Sequence, residues 1–197
     1  MLFLFLLCPV PAQSAGSLQY QFQPRQTVRY RVDLHHELKL SEDLPVTTKI
    51  VFQASVRMVK ADSSGIATLE ARAESFNART TIGSKETVAP ASAAGQSVRF
   101  RVGPSGLLPG EDVLNDSSGL PWKLFLSQVF PDLTHCRYLG QAVFNGQPCA
   151  RIGFDLNQGK GTALFADGHL ISGETQGGAD LGCSAKSAFS SRLSLFP

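Results

Sequence analysis

The chain has 197 residues, with 18 Lys and Arg against 16 Asp and Glu, for a formal net charge of +2. Charged residues make up 17% and hydrophobic residues 43%, and the mean hydropathy is −0.01. These proportions allow one globular domain with a real core. They exclude a multi-span membrane protein, an acidic disordered chain, a collagen-like repeat and a strongly cationic nucleic-acid binder.

Residues 2–8 read LFLFLLC, followed by Pro9, Val10, Pro11 and the small-residue stretch Ala12-Gln13-Ser14-Ala15-Gly16. A short apolar core ahead of small residues is the pattern of a secretory signal peptide. The run falls well short of the roughly 18 apolar residues that a membrane-spanning helix needs. The expectation is a signal segment over 1–15, cut after Ser14 or Ala15, with a secreted or periplasmic destination. No transmembrane segment is expected after that cut. No Lys or Arg precedes the apolar core, a departure that an upstream start would explain. Cys8 follows Leu7 and not the small residue of a lipobox, so lipidation there is not expected.

Residues 27–40 alternate cleanly. Val28, Tyr30, Val32, Leu34, His36, Leu38 and Leu40 share one face; Arg29, Arg31, Asp33, His35, Glu37 and Lys39 share the other. Period two over this length predicts a long strand with one buried and one wet face, hence a wide, curved sheet. A second strand is predicted over 47–60, with Ile50, Phe52, Ala54, Val56 and Met58 inward. The turn cluster at 61–65 returns the chain into a third strand over 66–80, with Ala67, Leu69, Ala71 and Ala73 inward. Its alanines also suit a helix by propensity, but the alternation and the turn favour a hairpin. Small inner residues would mark a tight bend or a close neighbour.

Residues 83–97 read as a loop without periodicity. Val98, Phe100 and Val102 then face inward along a further strand, with Arg99 and Arg101 outward. Within 115–133 lies the one good helix candidate. Asp116 to Ser118 suit its start, Pro121 its first turn and Pro131 its end. Trp122, Phe125, Leu126, Val129 and Phe130 give it a wide apolar face that must pack on something, and the concave side of the sheet is the available surface. Two hairpins are predicted next, over 137–156 around Asn145-Gly146 and over 162–172 around Asp167-Gly168. Residues 173–197 have weak patterning and few charges, and are expected to be a loosely held tail. The predicted domains are thus 1–15, 16–172 and 173–197.

Three cysteines follow the signal segment: Cys136, Cys149 and Cys183. A two-residue turn at Asn145-Gly146 pairs Cys149 with Ala142 and leaves Cys136 roughly 20 Å along the strand. That exceeds the roughly 7 Å Cα separation a disulfide tolerates, unless Cys136 folds back before the strand begins. No CxxC pair points to zinc or redox chemistry. His35 and His36 are adjacent on a strand and point to opposite faces, so they cannot chelate one ion there. No nucleophile elbow, phosphate loop or dinucleotide fingerprint occurs. Neither a catalytic residue, a cofactor nor a metal is expected, and the arginines at 29, 31, 99 and 101 are diluted by Asp33 and Glu37, which argues against nucleic acid.

Phe22–Val32 reads F-x-P-x-x-x-V-R-Y-R-V, Asp62–Glu70 D-x-x-G-x-A-x-L-E, Asn145–Ile152 N-G-x-x-C-A-R-I and Asp167–Ile171 D-G-x-L-I, with Phe130-Pro131 closing the helix. Over about 20–172 this order resembles a family of exported bacterial proteins of unknown function with long antiparallel strands. In architecture it is also similar to periplasmic lipoprotein carriers. That resemblance implies a half-open barrel with an apolar cavity under helices, although a single helix is predicted here.

The resulting expectation is a mainly β, non-enzymatic exported protein: a curved antiparallel sheet or half-barrel with one short helix on its concave face. Tyr30, Val32, Phe52, Phe100, Trp122, Phe125 and Phe130 are the candidate lining of an apolar ligand cavity, or else the core itself. A lipid or other apolar ligand and a cell-envelope component are the candidate partners. The alternative is an interaction module acting through an outer sheet face or an edge strand. A hydrolase ranks below both.

Overall fold

The computed structural model describes residues 18–39, 45–89, 94–108, 122–156, 159–182 and 185–196. The expectations for the signal segment, for 116–118 and Pro121 at the helix start, and for Cys183 lie outside the described residues. The first half of the chain forms β1 (Thr27–Lys39), β2 (Pro45–Ala61), β3 (Ala67–Ile82), β4 (Lys85–Val88), β5 (Ser97–Gly103) and β6 (Gly106–Leu107). The helix α1 (Trp122–Val129) and a 3-10 turn at Leu133–His135 lead into the second half. There β7 (Arg137–Phe144), β8 (Gln147–Leu156), β9 (Gly159–Ala166), β10 (His169–Gly182) and β11 (Ala185–Leu195) follow.

All the strands join one open, curved antiparallel sheet in the order β6-β5-β3-β2-β1-β11-β10-β9-β8-β7, with β4 beside β3. Each half is a meander, and the two meet where β11 pairs with β1 from Tyr30↔Leu195 to Lys39↔Lys186. The alternation in β1 shows toward its ends, with Tyr30 and Val32 buried on the concave side and Arg29, Glu37 and Lys39 exposed, whereas residues 33–36 are all half-buried. Bulges between Gln53 and Ala54 and between Met58 and Lys60 bend β2 against β3, and bulges are the usual device for curving a sheet. The inner alanines Ala54, Ala67, Ala71 and Ala73 are fully buried.

Eight residues are too few for a helix stable by itself, so α1 exists because of its packing. Trp122, Phe125, Leu126 and Val129 fall on one face and are all buried. Phe130 makes the last helical hydrogen bond, its N–H donating to Leu126 O at 2.8 Å. Pro131, with no N–H to offer, ends the run. The segment after α1 docks on the β5–β6 turn, where Leu133 N–H donates to Ser105 O at 2.7 Å. A Cβ on Gly106 would meet Pro131 O at 2.9 Å, so only glycine allows this approach.

A strap at 18–22 closes one end of the sheet. Tyr20 N–H donates to Pro104 O at 2.8 Å and Gln21 N–H to Gly168 O at 3.1 Å, tying the β5–β6 turn to the β9–β10 turn. Asn145, Gly146, Asp167 and Gly168 all have positive φ, the backbone of type I′ turns that the two sequence pairs predicted.

Two expectations are corrected. Residues 173–182 and 185–195 are not a loose tail: they complete β10 and form β11, the strand that joins the two halves of the sheet. Their pattern is faint because the concave positions of β10 are Gly173, Thr175, Gly177 and Ala179, with little apolar bulk. Residues 83–97 are not all loop, since β4 pairs with β3 from Arg79↔Val88 to Ile82↔Lys85. Every residue of β4 is exposed, so no buried face existed to create periodicity.

Candidate functional site

The seven candidate cavity residues come together, but as a filled core. Each is at most 2% exposed, in a single cluster beneath α1. Phe52 is at its centre, its ring centroid 4.9 Å from Trp122 and 4.7 Å from Phe125. Phe130 packs edge-on against Tyr30 at 6.3 Å and tilted against Phe100 at 5.6 Å. The strap seals the other side, with Tyr20 at 5.4 Å from Phe130 and 5.6 Å from Phe165. A cavity of about 10 Å³ remains between Phe22, Tyr30, Leu69, Phe130 and His169, room for about one water. Burial in this apolar setting pushes the Tyr20 and Tyr30 hydroxyls well above their ordinary pKa, so both stay neutral.

The helix covers only part of the concave face. Further along the strands, Leu34 and Leu38 of β1, Val46 and Ile50 of β2, Phe76 of β3 and Phe189 of β11 are half-buried. Leu34 pairs with Ile50 and Leu38 with Val46; Phe189 lies opposite His36. The alternation puts all six on the same side as Tyr30 and Val32, so they form an apolar strip across four adjacent strands. Two polar pairs interrupt it. His36 Nε2 is 2.9 Å from Ser187 Oγ, and the hydroxyls of Thr48 and Thr80 are 3.3 Å apart.

A third polar group pins α1 at the border of the strip. Ser191 Oγ donates to Gln128 Oε1 at 2.7 Å and so accepts from Thr175 Oγ1 at 2.6 Å. Two buried side-chain atoms among the described residues have no hydrogen-bond partner: Gln96 Oε1 and Trp122 Nε1. Leaving such a group unpaired costs about 1–3 kcal/mol.

The opposite face is polar. A shallow trough of about 760 Å³ crosses β2, β1, β11, β10 and β9, bordered by Arg31, Asp33, His35, Lys49, Lys160 and Arg192, among others. Its charges are largely paired: Arg31 with Asp33 at 2.8 Å, Arg192 with Glu174 at 2.6 Å and His35 with Glu37 at 3.1 Å. Exposed pairs of this kind contribute little to stability; Lys49 and Lys160 also border the trough. His35 and His36 do point to opposite faces, and among the described residues no group of three potential ligands could hold a metal ion.

Cys149 pairs with Ala142, as the turn requires. Cys136 and Cys149 are both free thiols. Burial, then the Asp132 carboxylate, pushes the Cys136 thiol up to about 11, so it is an inert group at neutral pH. No helix in the described structure is long and apolar enough to cross a membrane.

The half-buried strip is the feature that the candidate list omitted. Its residues stand in the same alternating strands as the candidates. What separates strip from core is the reach of α1, which spans only eight residues.

No protein-family model and no curated protein matches the chain. Among solved structures, it is similar to one described as lipid-protein interactions in lipovitellin, at 12% identity and a TM-score of 0.52. The match takes in 90% of this chain and 26% of the lipovitellin chain, so this protein spans about a quarter of that length. The likeness is one of fold.

Proposed function

We propose that this chain is a non-enzymatic β-sheet module that holds an apolar ligand, a lipid, on the concave strip beyond α1. The observation that carries this reading is the set of six half-buried apolar side chains on adjacent strands, continuous with the aromatic core. An apolar concave surface bordered by a few hydrogen-bonding groups is the usual form of a small-molecule site. His36–Ser187 and Thr48–Thr80 supply such groups here. The fold likeness to a structure concerned with lipid-protein interactions supports a lipid as the ligand. A secreted or periplasmic setting belongs to the same proposal and rests on the apolar run at 2–8.

The test is a titration of the purified chain with a fluorescent fatty-acid probe. Saturable one-to-one binding, weakened by Phe189→Asp, is expected. A linear, non-saturating response would overturn the proposal.

A second reading rests on β7, which ends the sheet. Leu139, Val143 and Phe144 are 50%, 72% and 36% exposed, and no charged residue follows Arg137 in the strand. Edges are usually blunted by charge; this one suits a cell-envelope protein that adds a strand to it. Co-purification of an envelope protein that is lost on Val143→Lys supports this reading, and co-purification unchanged by that substitution contradicts it.

A further inference from the structure

We propose that the outer trough is a second binding site, for an acidic oligosaccharide lying across the strands between Lys49 and Lys160. The proposal does not depend on the lipid reading and uses the opposite face of the sheet. Lys49 of β2, His35 of β1, Ser190 of β11, Gln176 of β10 and Lys160 of β9 are cross-strand partners in turn. Directly paired residues put their side chains on one face, so they form a single line across the sheet. The line is on the outer face, because His36, next to His35, belongs to the concave one. Its ends are four strand spacings of about 4.8 Å apart, roughly 19 Å. The line borders the trough of about 760 Å³. A second hollow, of about 670 Å³, shares His35, Lys160, Gln176 and Ser190 with it.

The charges along this line select the ligand. The other charged groups bordering the trough have counter-ions: Arg31 with Asp33, Arg192 with Glu174 and His35 with Glu37. Lys49 and Lys160 have none among the described residues. Their outer neighbours in register do not serve. Arg79, opposite Lys49, is itself a cation paired with Glu86 at 3.5 Å. Asp155, opposite Lys160, is held by Arg137 at 3.2 Å. Between the two ammonium groups stand the Ser190 hydroxyl and the Gln176 amide, both exposed and without a side-chain partner among the described residues. The trough thus has two positive ends and a neutral hydrogen-bonding middle. No Phe, Tyr or Trp borders it, so nucleic-acid bases find no stacking platform. Its floor is a sheet face whose main-chain groups are taken up by the ladders, so an extended peptide has no edge to pair with. An acidic oligosaccharide supplies what remains, carboxylates for the lysines and hydroxyls for the middle.

Calorimetric titration of the purified chain with tetragalacturonate tests the proposal, with cellotetraose and tetraglutamate as comparisons. Tetragalacturonate should saturate one site. Lys49 and Lys160 are both exposed, so Lys49→Gln and Lys160→Gln should fold normally. Each should weaken binding about twofold to fivefold, the worth of one exposed ion pair. Lys123→Gln, on α1 and away from the trough, should leave the affinity unchanged. Cellotetraose has hydroxyls without charge and tetraglutamate has charge without hydroxyls; both should bind several-fold more weakly. Absence of saturable binding of tetragalacturonate overturns the proposal. So does an unchanged affinity in Lys49→Gln or Lys160→Gln, or an equal loss in Lys123→Gln. Equal affinity for tetraglutamate would make this a site for acidic peptides, and equal affinity for cellotetraose would remove the role of the lysines; either result overturns it as well.

Discussion

Ser191 Oγ on β11 donates to Gln128 Oε1 on α1 across 2.7 Å, the polar tie that fixes the helix to the concave face. Replacing Gln128 by Leu keeps the side-chain bulk and strands a buried hydroxyl, which should cost about 1–2 kcal/mol. A double-mutant cycle with Ser191→Ala, read by urea denaturation, should show coupling between the two. Additive losses would mean that the bond does not hold the helix.

The C-terminal strand should be indispensable. Removing 185–197 leaves β1 and β10 without the partner that joins the halves of the sheet. Loss of a cooperative thermal transition by circular dichroism is expected. Leu193, buried at 3%, is the milder probe: Leu193→Ala should lower stability by about 2–5 kcal/mol.

The two type I′ turns should differ in sensitivity. Gly146 has φ +81 and nothing within 4 Å of a built Cβ, so Gly146→Ala meets only backbone strain, about 1 kcal/mol. Gly168 has φ +76, and a Cβ there would run into the backbone of Gln21 in the strap. Gly168→Ala should therefore destabilise by clearly more, measured by the shift in urea midpoint.

Acid should weaken the strap end through His169. Burial lowers its pKa below the ordinary 6.5, against a smaller opposing effect of Asp167. Its ring lies 6.2 Å from Phe22, and Gln23, Gln26 and Arg57 border the same small cavity. A folded pKa below the unfolded one means the unfolded chain binds the extra proton first. Stability from this group is whole above about pH 6.5 and falls with pH until the folded value is passed. Melting temperatures from pH 7.5 to 5 should show that loss in wild type and a flatter profile in His169→Gln.

Much of this architecture is legible in the residues because it depends on local pattern. Tyr30 and Val32 alternate with charged neighbours, Asn145-Gly146 and Asp167-Gly168 dictate type I′ turns, and Trp122, Phe125, Leu126 and Val129 fall at helical spacing. The C-terminal strands are hidden for a physical reason. Gly161 on β9 has no side chain because a Cβ there would overlap the ring of Phe154, and Gly173 on β10 lies against Ala163. Small residues chosen for fit carry no hydrophobic period. Serines at 187 and 191 of β11 disguise a concave face by hydrogen-bonding to His36 and Gln128. The difference between a filled core and an open strip also escapes any pattern, because Phe52 and Ile50 share a strand and a face. Only the length and seating of α1 separate them.

The measurement that bears most directly on the concave strip compares two adjacent residues of β2. Ile50 pairs with Leu34 on the face of the strip, whereas Val51 pairs with Asp33 and alternates onto the opposite face with Lys49 and Gln53. Fatty-acid probe titrations of Ile50→Lys and Val51→Lys place the same charge on opposite faces of one strand. Ile50→Lys is expected to abolish saturable binding and Val51→Lys to leave the affinity within about twofold of wild type, as for a surface change away from the site. Equal affinities for the two variants, or a greater loss in Val51→Lys, would contradict it.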